Sequence, residues 1–449
     1  MRTTNSTETQ SMRGFKRVAI WVAMAVVGTG GVAQQAMASS QFADTVTGGW
    51  GGERAALQSK GIDLGAVYTG EFAGNFDGGT RHTGSFAGDM LLTGGFDFNK
   101  LFGWRGGSFQ VILDNRNGHL LNERAGMDTT VPASVQEVSG TGNVTRVIDF
   151  YLQQDFWGQS LYVRLGRIDA SQDFFSFACN FQNLTFCANL PSYMTDDVPA
   201  WPYSALGVTL GIQPESTWYL HIGAFKNNPN NFTNANGVRI VPNGPNVGTT
   251  FMAEFGINTS IAASDPKSPL TGTWAIGGWH DNAPRPDLLL DVNDVPQAIT
   301  GASPLTRTHT SGMYVYGTQE IAQNRNGGAI SLFANFIRAD DHTDEVSAMT
   351  SVGLIDNGPF ASRPNDSIHV AIGENHISGQ LADAVRIANA IGHDAGPVPD
   401  NEYVFELDYS AQVWRGVDLM PNLQYIKDPS GLHGIGNIAV FGLQFTVTM

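Results

Sequence analysis

Few residues of this chain have the type and spacing to do chemistry, and those few suit binding rather than reaction. Arg164 and Arg167 stand three apart at the end of a run that alternates apolar and polar residues. A guanidinium presents five donors in a fixed planar fork. Arg164 falls on the polar face of its run. Glu71, Asp114 and Asp149 occupy polar positions of similar runs. They can hold the arginines in place. Tyr162 and Trp279 fall on polar faces too. The competing reading is structural. Arg164 and its acidic neighbours would then brace a wall, and Trp279 would belong to an interfacial girdle. The sequence has no His-Glu-x-x-His, no Gly-x-Ser-x-Gly and no glycine-rich phosphate loop with Lys. Its ten His form no ligand cluster, so no metal, no cofactor and no enzymatic reaction are expected. Cys179 and Cys187 are the only cysteines, and their spacing fits no zinc motif. On an oxidising route they read as a disulfide, a small ring that would hold a loop in shape.

The elements that must position these residues are strands. At the C-terminus, Phe441, Leu443, Phe445, Val447 and Met449 share one face, while Gly442, Gln444, Thr446 and Thr448 share the other. A strand this apolar needs either a core or lipid against it. The same pattern begins at Ile62, where Ile62, Leu64, Ala66, Tyr68 and Phe72 oppose Asp63, Thr69 and Glu71. Over residues 87–98, Met90, Leu92, Phe96 and Phe98 oppose Asp89, Thr93 and Asp97. Phe109, Val111 and Leu113 then oppose Ser108, Gln110 and Asp114, and Ile148, Phe150 and Leu152 oppose Asp149, Tyr151 and Gln153. Leu161, Val163 and Leu165 oppose Tyr162 and Arg164. Further segments centre near Val208, Ile222, Phe255, Ile276, Val315, Leu332, Val352, Val370, Phe405, Leu423 and Phe441. The total is about 16, even as bacterial barrels require. Alternation is poorest near Val315 and Val352.

Connections are short at 156–160, 213–216 and 411–417, and long at 118–145, 170–203, 226–248 and 282–310. Short ones suit periplasmic turns and long ones extracellular loops, in an order that leaves both termini periplasmic. A short helix over residues 53–59 precedes the barrel, with Gly61 placed to end it. Residues 380–390 also carry helical spacing, in an extracellular loop.

The first residues read as a secretory signal. Arg13, Lys16 and Arg17 are followed by an apolar run from Val18 to Val27, too short to span a membrane. Ala36-Met37-Ala38 is a small-x-small cleavage site. The chain therefore divides into a signal peptide (1–38), an N-terminal periplasmic segment with a short helix (39–61) and a β-barrel (62–449). Beyond the signal no apolar run is long enough for a transmembrane helix. Charged residues are 15% of the chain, against about 25% in soluble proteins. Glycine is abundant at 53 residues. A net charge of −16 excludes nucleic acid as a partner.

Several motifs together resemble the carbohydrate-selective porins of the OprB family. Trp50-Gly51-Gly52-x-Arg54-x-x-Leu57 with Gly61-Ile62 is similar to that family's opening. Asn75 with Gly78-Gly79, and Asp97-x-x-Lys100-Leu101-x-Gly103-Trp104 with Gly106-Gly107, resemble its first loop and turn. Leu165-Gly166-Arg167 resembles its Gly-Arg strand end. Gly358-Pro359, Arg363-Pro364 and Asp366 resemble a later turn. Glu402 to Tyr409, and Pro421-x-x-Gln424-Tyr425-Ile426-x-x-Pro429, resemble the closing hairpin. The likeness runs from Trp50 to the C-terminus. It departs at Met449, where the family commonly ends in Phe, and it finds no match in the loops at 118–145 and 282–310.

The resemblance implies an outer-membrane porin for small sugars, monosaccharides such as glucose, whose hydroxyls Arg164, Arg167, Glu71, Asp114 and Asp149 would bond and whose C–H face Tyr162 and Trp279 would stack on. Its partners would be small sugars, outer-membrane lipid and the barrel assembly machinery, with the choice between monomer and homo-oligomer left open. A general-diffusion or cation-leaning porin shares the fold and the acidic balance. A surface adhesin or structural barrel would also use long loops.

Overall fold

The computed structural model describes residues 45–449, apart from 128–133, 139–142, 177–178, 188–193, 196–197, 263–268 and 435. The expected signal peptide and its expected cleavage site lie outside the described residues. Strand β1 spans Ile62–Asp77, β2 Gly84–Asp97, β3 Gly107–Gly118, β4 Val144–Phe156 and β5 Leu161–Ile168. β6 is Ala205–Glu215, β7 Trp218–Asn227, β8 Gly248–Ile261 and β9 Leu270–Asp281. β10 (Arg285–Asp291) and β11 (Pro304–Arg307) form a separate two-stranded hairpin. β12 is Thr310–Gln323, β13 Ala329–Arg338, β14 Val346–Asn357 and β15 Ser367–Ile377. β16 is Asn401–Trp414, β17 Val417–Lys427 and β18 Ile438–Thr448.

Among the described residues, all strands but β10 and β11 join one closed antiparallel barrel, and these sixteen coincide with the segments expected from alternation. β9 pairs with β12 past the hairpin, and β18 closes on β1 with Glu71 opposite Gln444. Closure leaves no unpaired strand edge to meet lipid. The molecule is inside-out relative to a soluble protein. Leu165 is 63% exposed on the outer wall and Ile276 51%, whereas Glu71, Asp114 and Asp149 are fully buried within.

Two expectations are corrected. Phe98 does not extend β2. Asp97 accepts hydrogen bonds from the Asn99 and Lys100 amides and caps a short helix, Phe98–Phe102. Ile148 does not face outward with Phe150. The β3–β4 register slips at Ile112/Leu113, so Ile148 is the extra residue of a bulge. It is buried against Leu91, Ile112 and Trp201.

The N-terminal helix, Glu53–Ser59, ends as expected, with Gly61 at a positive φ of 92°. Arg54 ties it to the seam. Its Nη2 donates to Leu64 O on the first strand at 2.9 Å and to Met449 O at the chain end at 3.1 Å. The guanidinium stacks over Trp50, 5.0 Å from the ring centre.

A candidate solute site below two inward-folded loops

β5 has eight residues and is the shortest strand of the barrel. The described part of residues 169–204, the third loop in chain order on this end of the barrel, leaves its end and turns into the lumen instead of continuing the wall. Apolar contacts and wall carboxylates hold it there. Phe174 and Phe175 pack with Phe225, Tyr314 and Tyr316, and Phe181 and Phe186 pack with Phe333. Glu254 accepts from the Phe175 amide at 2.6 Å and from the hydroxyls of Tyr219, Tyr314 and Tyr316 at 2.8, 2.9 and 2.9 Å. Glu406 accepts from two successive amides, Gln182 and Asn183, both at 2.9 Å. Close to these anchors Cys179 and Cys187 form a disulfide across a sequence separation of 8.

A second loop, the described part of residues 119–143, also folds inward. Glu71 accepts from the Val138 amide at 3.1 Å and from Gln444 Nε2 at 2.7 Å. Gln424 Nε2 donates to Val135 O at 3.0 Å, and the Leu184 amide donates to Ser134 O at 2.9 Å. The two loops therefore support each other in the half of the lumen away from the termini. This packing also accounts for the poor alternation in β12 and β14. Tyr314 and Tyr316 on β12, and Met349 and Ile355 on β14, point inward but meet loop side chains rather than water.

On the terminal side of the loops lies a cavity of about 710 Å³. Its lining includes Gln110, Tyr151, Gln153, Asp155, Arg164 and Gln172. Arg164 is held from three directions. Nε donates to Gln153 Oε1 at 2.7 Å, and Nη1 donates to Asp173 Oδ1 at 2.7 Å. The guanidinium also lies 4.6 Å from the Tyr162 ring centre and 5.3 Å from that of Tyr151. Among the described residues nothing accepts from its Nη2. Gln172 Nε2, in the same lining, is buried without a hydrogen-bond partner there. Fixed donors, amide and carboxylate acceptors, and a phenol ring together match a hydroxyl-bearing solute.

The expected site residues are only partly brought together. Arg164 and Tyr162 meet around Asp173, to which the Tyr162 hydroxyl also donates. Asp149 accepts from the Asp169 amide at 2.9 Å and so fixes the point where the third loop begins. Glu71 anchors the second loop. Asp114 binds Arg116 Nε at 2.8 Å. Trp279 faces inward but is buried, stacked 6.5 Å from Tyr314. Arg167 shares its register with Phe150 and Leu206, the face opposite Arg164, and lies away from the cavity. Sequence reading missed Gln172, which sits in a loop where no periodicity marks it. The inward register of Gln110 and Gln153 was the available signal for those two.

Residues 81–449 match the sequence profile described as carbohydrate-selective porin, OprB family. The chain belongs to the OprB family of carbohydrate-selective porins. Porin B of Pseudomonas aeruginosa is 33% identical, over 94% of this chain and 95% of that one. A putative porin, QuiX, of Acinetobacter baylyi is 27% identical, over 96% of this chain and 99% of its own. The high-pH structure of Pseudomonas putida OprB covers 92% of this chain and 100% of its own, with a TM-score of 0.85 and 30% identity. This OprB-family chain is thus a sugar-selective channel of the Gram-negative outer membrane.

Proposed function

We propose that small neutral sugars pass the inward loops and bind weakly at a site built on Arg164. The observation that carries this reading is the geometry of the guanidinium. Three of its surroundings are fixed by Gln153, Asp173 and Tyr162, while Nη2 is left at the cavity wall. A preorganised donor replaces a lost water bond without further ordering of the side chain. Asp173 neutralises the charge, so an anionic solute gains less here than at a free arginine. Gln110, Gln153 and Gln172 add amides that donate and accept. Tyr151 adds its ring to the same lining. Transit requires weak binding, and one or two fixed hydrogen bonds meet that need. Arg167, Glu71 and Asp149 support the wall and loops in this reading.

The test is planar-bilayer current block by glucose, paired with liposome swelling. Wild-type channels are expected to show concentration-dependent block that Arg164→Ala weakens strongly. Absence of block by any monosaccharide would replace this site with unselective diffusion.

A further inference from the structure

The short β5 leaves a notch in the wall. β4 pairs with β5 only as far as Phe150 opposite Arg167, although β4 continues to Val144. The loop between β7 and β8, residues 228–247, fills that notch. The Val147 amide of β4 donates to Gly237 O at 2.7 Å. Arg167, on the outward register, donates through Nη1 to Asn236 O at 3.0 Å and also to Arg239 O. Its Nε binds Ser204 Oγ at 2.7 Å. Arg146 donates to Thr233 O at 3.2 Å and to Asn234 Oδ1 at 2.8 Å. The loop is therefore an ordered part of the outer rim.

Its exposed side chains differ from those of a solvated loop. Val238 is 66% exposed, Ile240 44% and Val241 65%, and exposed Arg239 stands among them. Directly below, Leu165 and Val208 pair in register on the lipid-facing wall. Arg167, which grips the loop, is two residues beyond Leu165 on the same face, so the patch continues the lipid-facing band past its upper edge. Lys226 is exposed on the outward register of β7, above Ile222. No Asp or Glu occurs between Glu215 and Glu254, in a chain with 41 acidic residues. Exposed Arg239 and Lys226 thus flank an apolar patch.

We propose that this rim patch binds the phosphorylated glycolipid of the outer leaflet. Val238, Ile240 and Val241 enter the boundary between acyl chains and headgroup, and Arg239 and Lys226 meet phosphate. Apolar side chains flanked by cations are the composition that interfacial contact with anionic lipid requires. The inference rests on the outer-membrane barrel and is independent of the sugar site.

The experiment is native mass spectrometry of the full-length protein in detergent, titrated with lipid A and separately with phosphatidylcholine. Two variants are compared with wild type: Val238→Asn/Val241→Asn and Arg239→Gln. Wild type is expected to prefer lipid A. Each variant should bind it roughly tenfold more weakly, with glucose block and heat-dependent gel mobility unchanged. Equal binding of the two lipids by wild type overturns the proposal. So does undiminished lipid A binding in either variant, because the site requires both its apolar and its cationic part.

Discussion

Arg164 and Arg167, three residues apart on β5, point to opposite sides of the barrel wall. Arg164 shares its face with Gln153 and Thr209, and Arg167 with Phe150 and Leu206. An odd separation along a strand dictates this. Their substitutions should therefore separate cleanly. Arg164→Ala removes a solute donor and leaves Asp173 uncompensated, so glucose block should weaken and the channel should become more cation-selective. Hydrogen bonds to charged groups contribute about 1.5–3 kcal/mol, enough to abolish a weak site. Arg167→Ala should leave block intact and expose residues 228–247 to protease. Bilayer recordings and limited proteolysis on both variants check the pair.

Glu406 holds the third loop by two amides. In Glu406→Gln the charge is lost and one of the two acceptors becomes a donor facing an amide. The anchor should weaken by about 2–4 kcal/mol, as expected for two charge-assisted bonds partly lost. Single-channel conductance should rise and glucose block should fall, because the loop no longer stays across the lumen. Unchanged conductance would show that the remaining anchors, with the aromatic contacts of Phe181 and Phe186, suffice without Glu406.

Cys179→Ser/Cys187→Ser opens a ring whose closure stabilises the loop by about 2–3 kcal/mol. The barrel itself should keep its resistance to unfolding in detergent, since the bond lies within one loop. The expected change is local, seen as more frequent closures in the open-channel current. Adding reductant to wild type should reproduce it. Identical current noise in all three conditions would assign the disulfide to protection of the loop alone.

Arg54→Ala should loosen the seam between β1 and β18. The guanidinium joins the carbonyls of Leu64 and Met449, which lie at opposite ends of the barrel sequence. The variant should convert to the unfolded gel form at a lower temperature than wild type, with sugar block unaltered. Arg54→Lys should recover part of the loss, since one ammonium cannot reproduce the fork on two carbonyls and the stack on Trp50.

The barrel was legible in the sequence because lipid and water impose period-2 alternation on every strand. The segments near Val315 and Val352 were the hardest to read, and the structure supplies the physical reason. Tyr314, Tyr316, Met349 and Ile355 face a lumen filled at their level by the third loop, so both faces of β12 and β14 are apolar. Arg164 and Tyr162 were legible as an inward pair. Their joint partner Asp173 was not, because a loop residue has no period to place it. Arg167 was drawn into the site by its motif, Leu165-Gly166-Arg167, although its register already put it on the outer face. Glu254 and Glu406 gave no sequence signal of their anchoring role, since the loop groups they hold are backbone amides far along the chain.

That choice of partner has a consequence for how such a channel can diversify. Glu406 and Asp149 grip main-chain amides, which every residue except proline supplies whatever its side chain. The path of the third loop is therefore largely indifferent to what the loop displays between its fixed points. Positions such as Gln172 can drift to suit another solute while the loop keeps its course. A library confined to those positions, with the anchors untouched, is where new permeants should be sought.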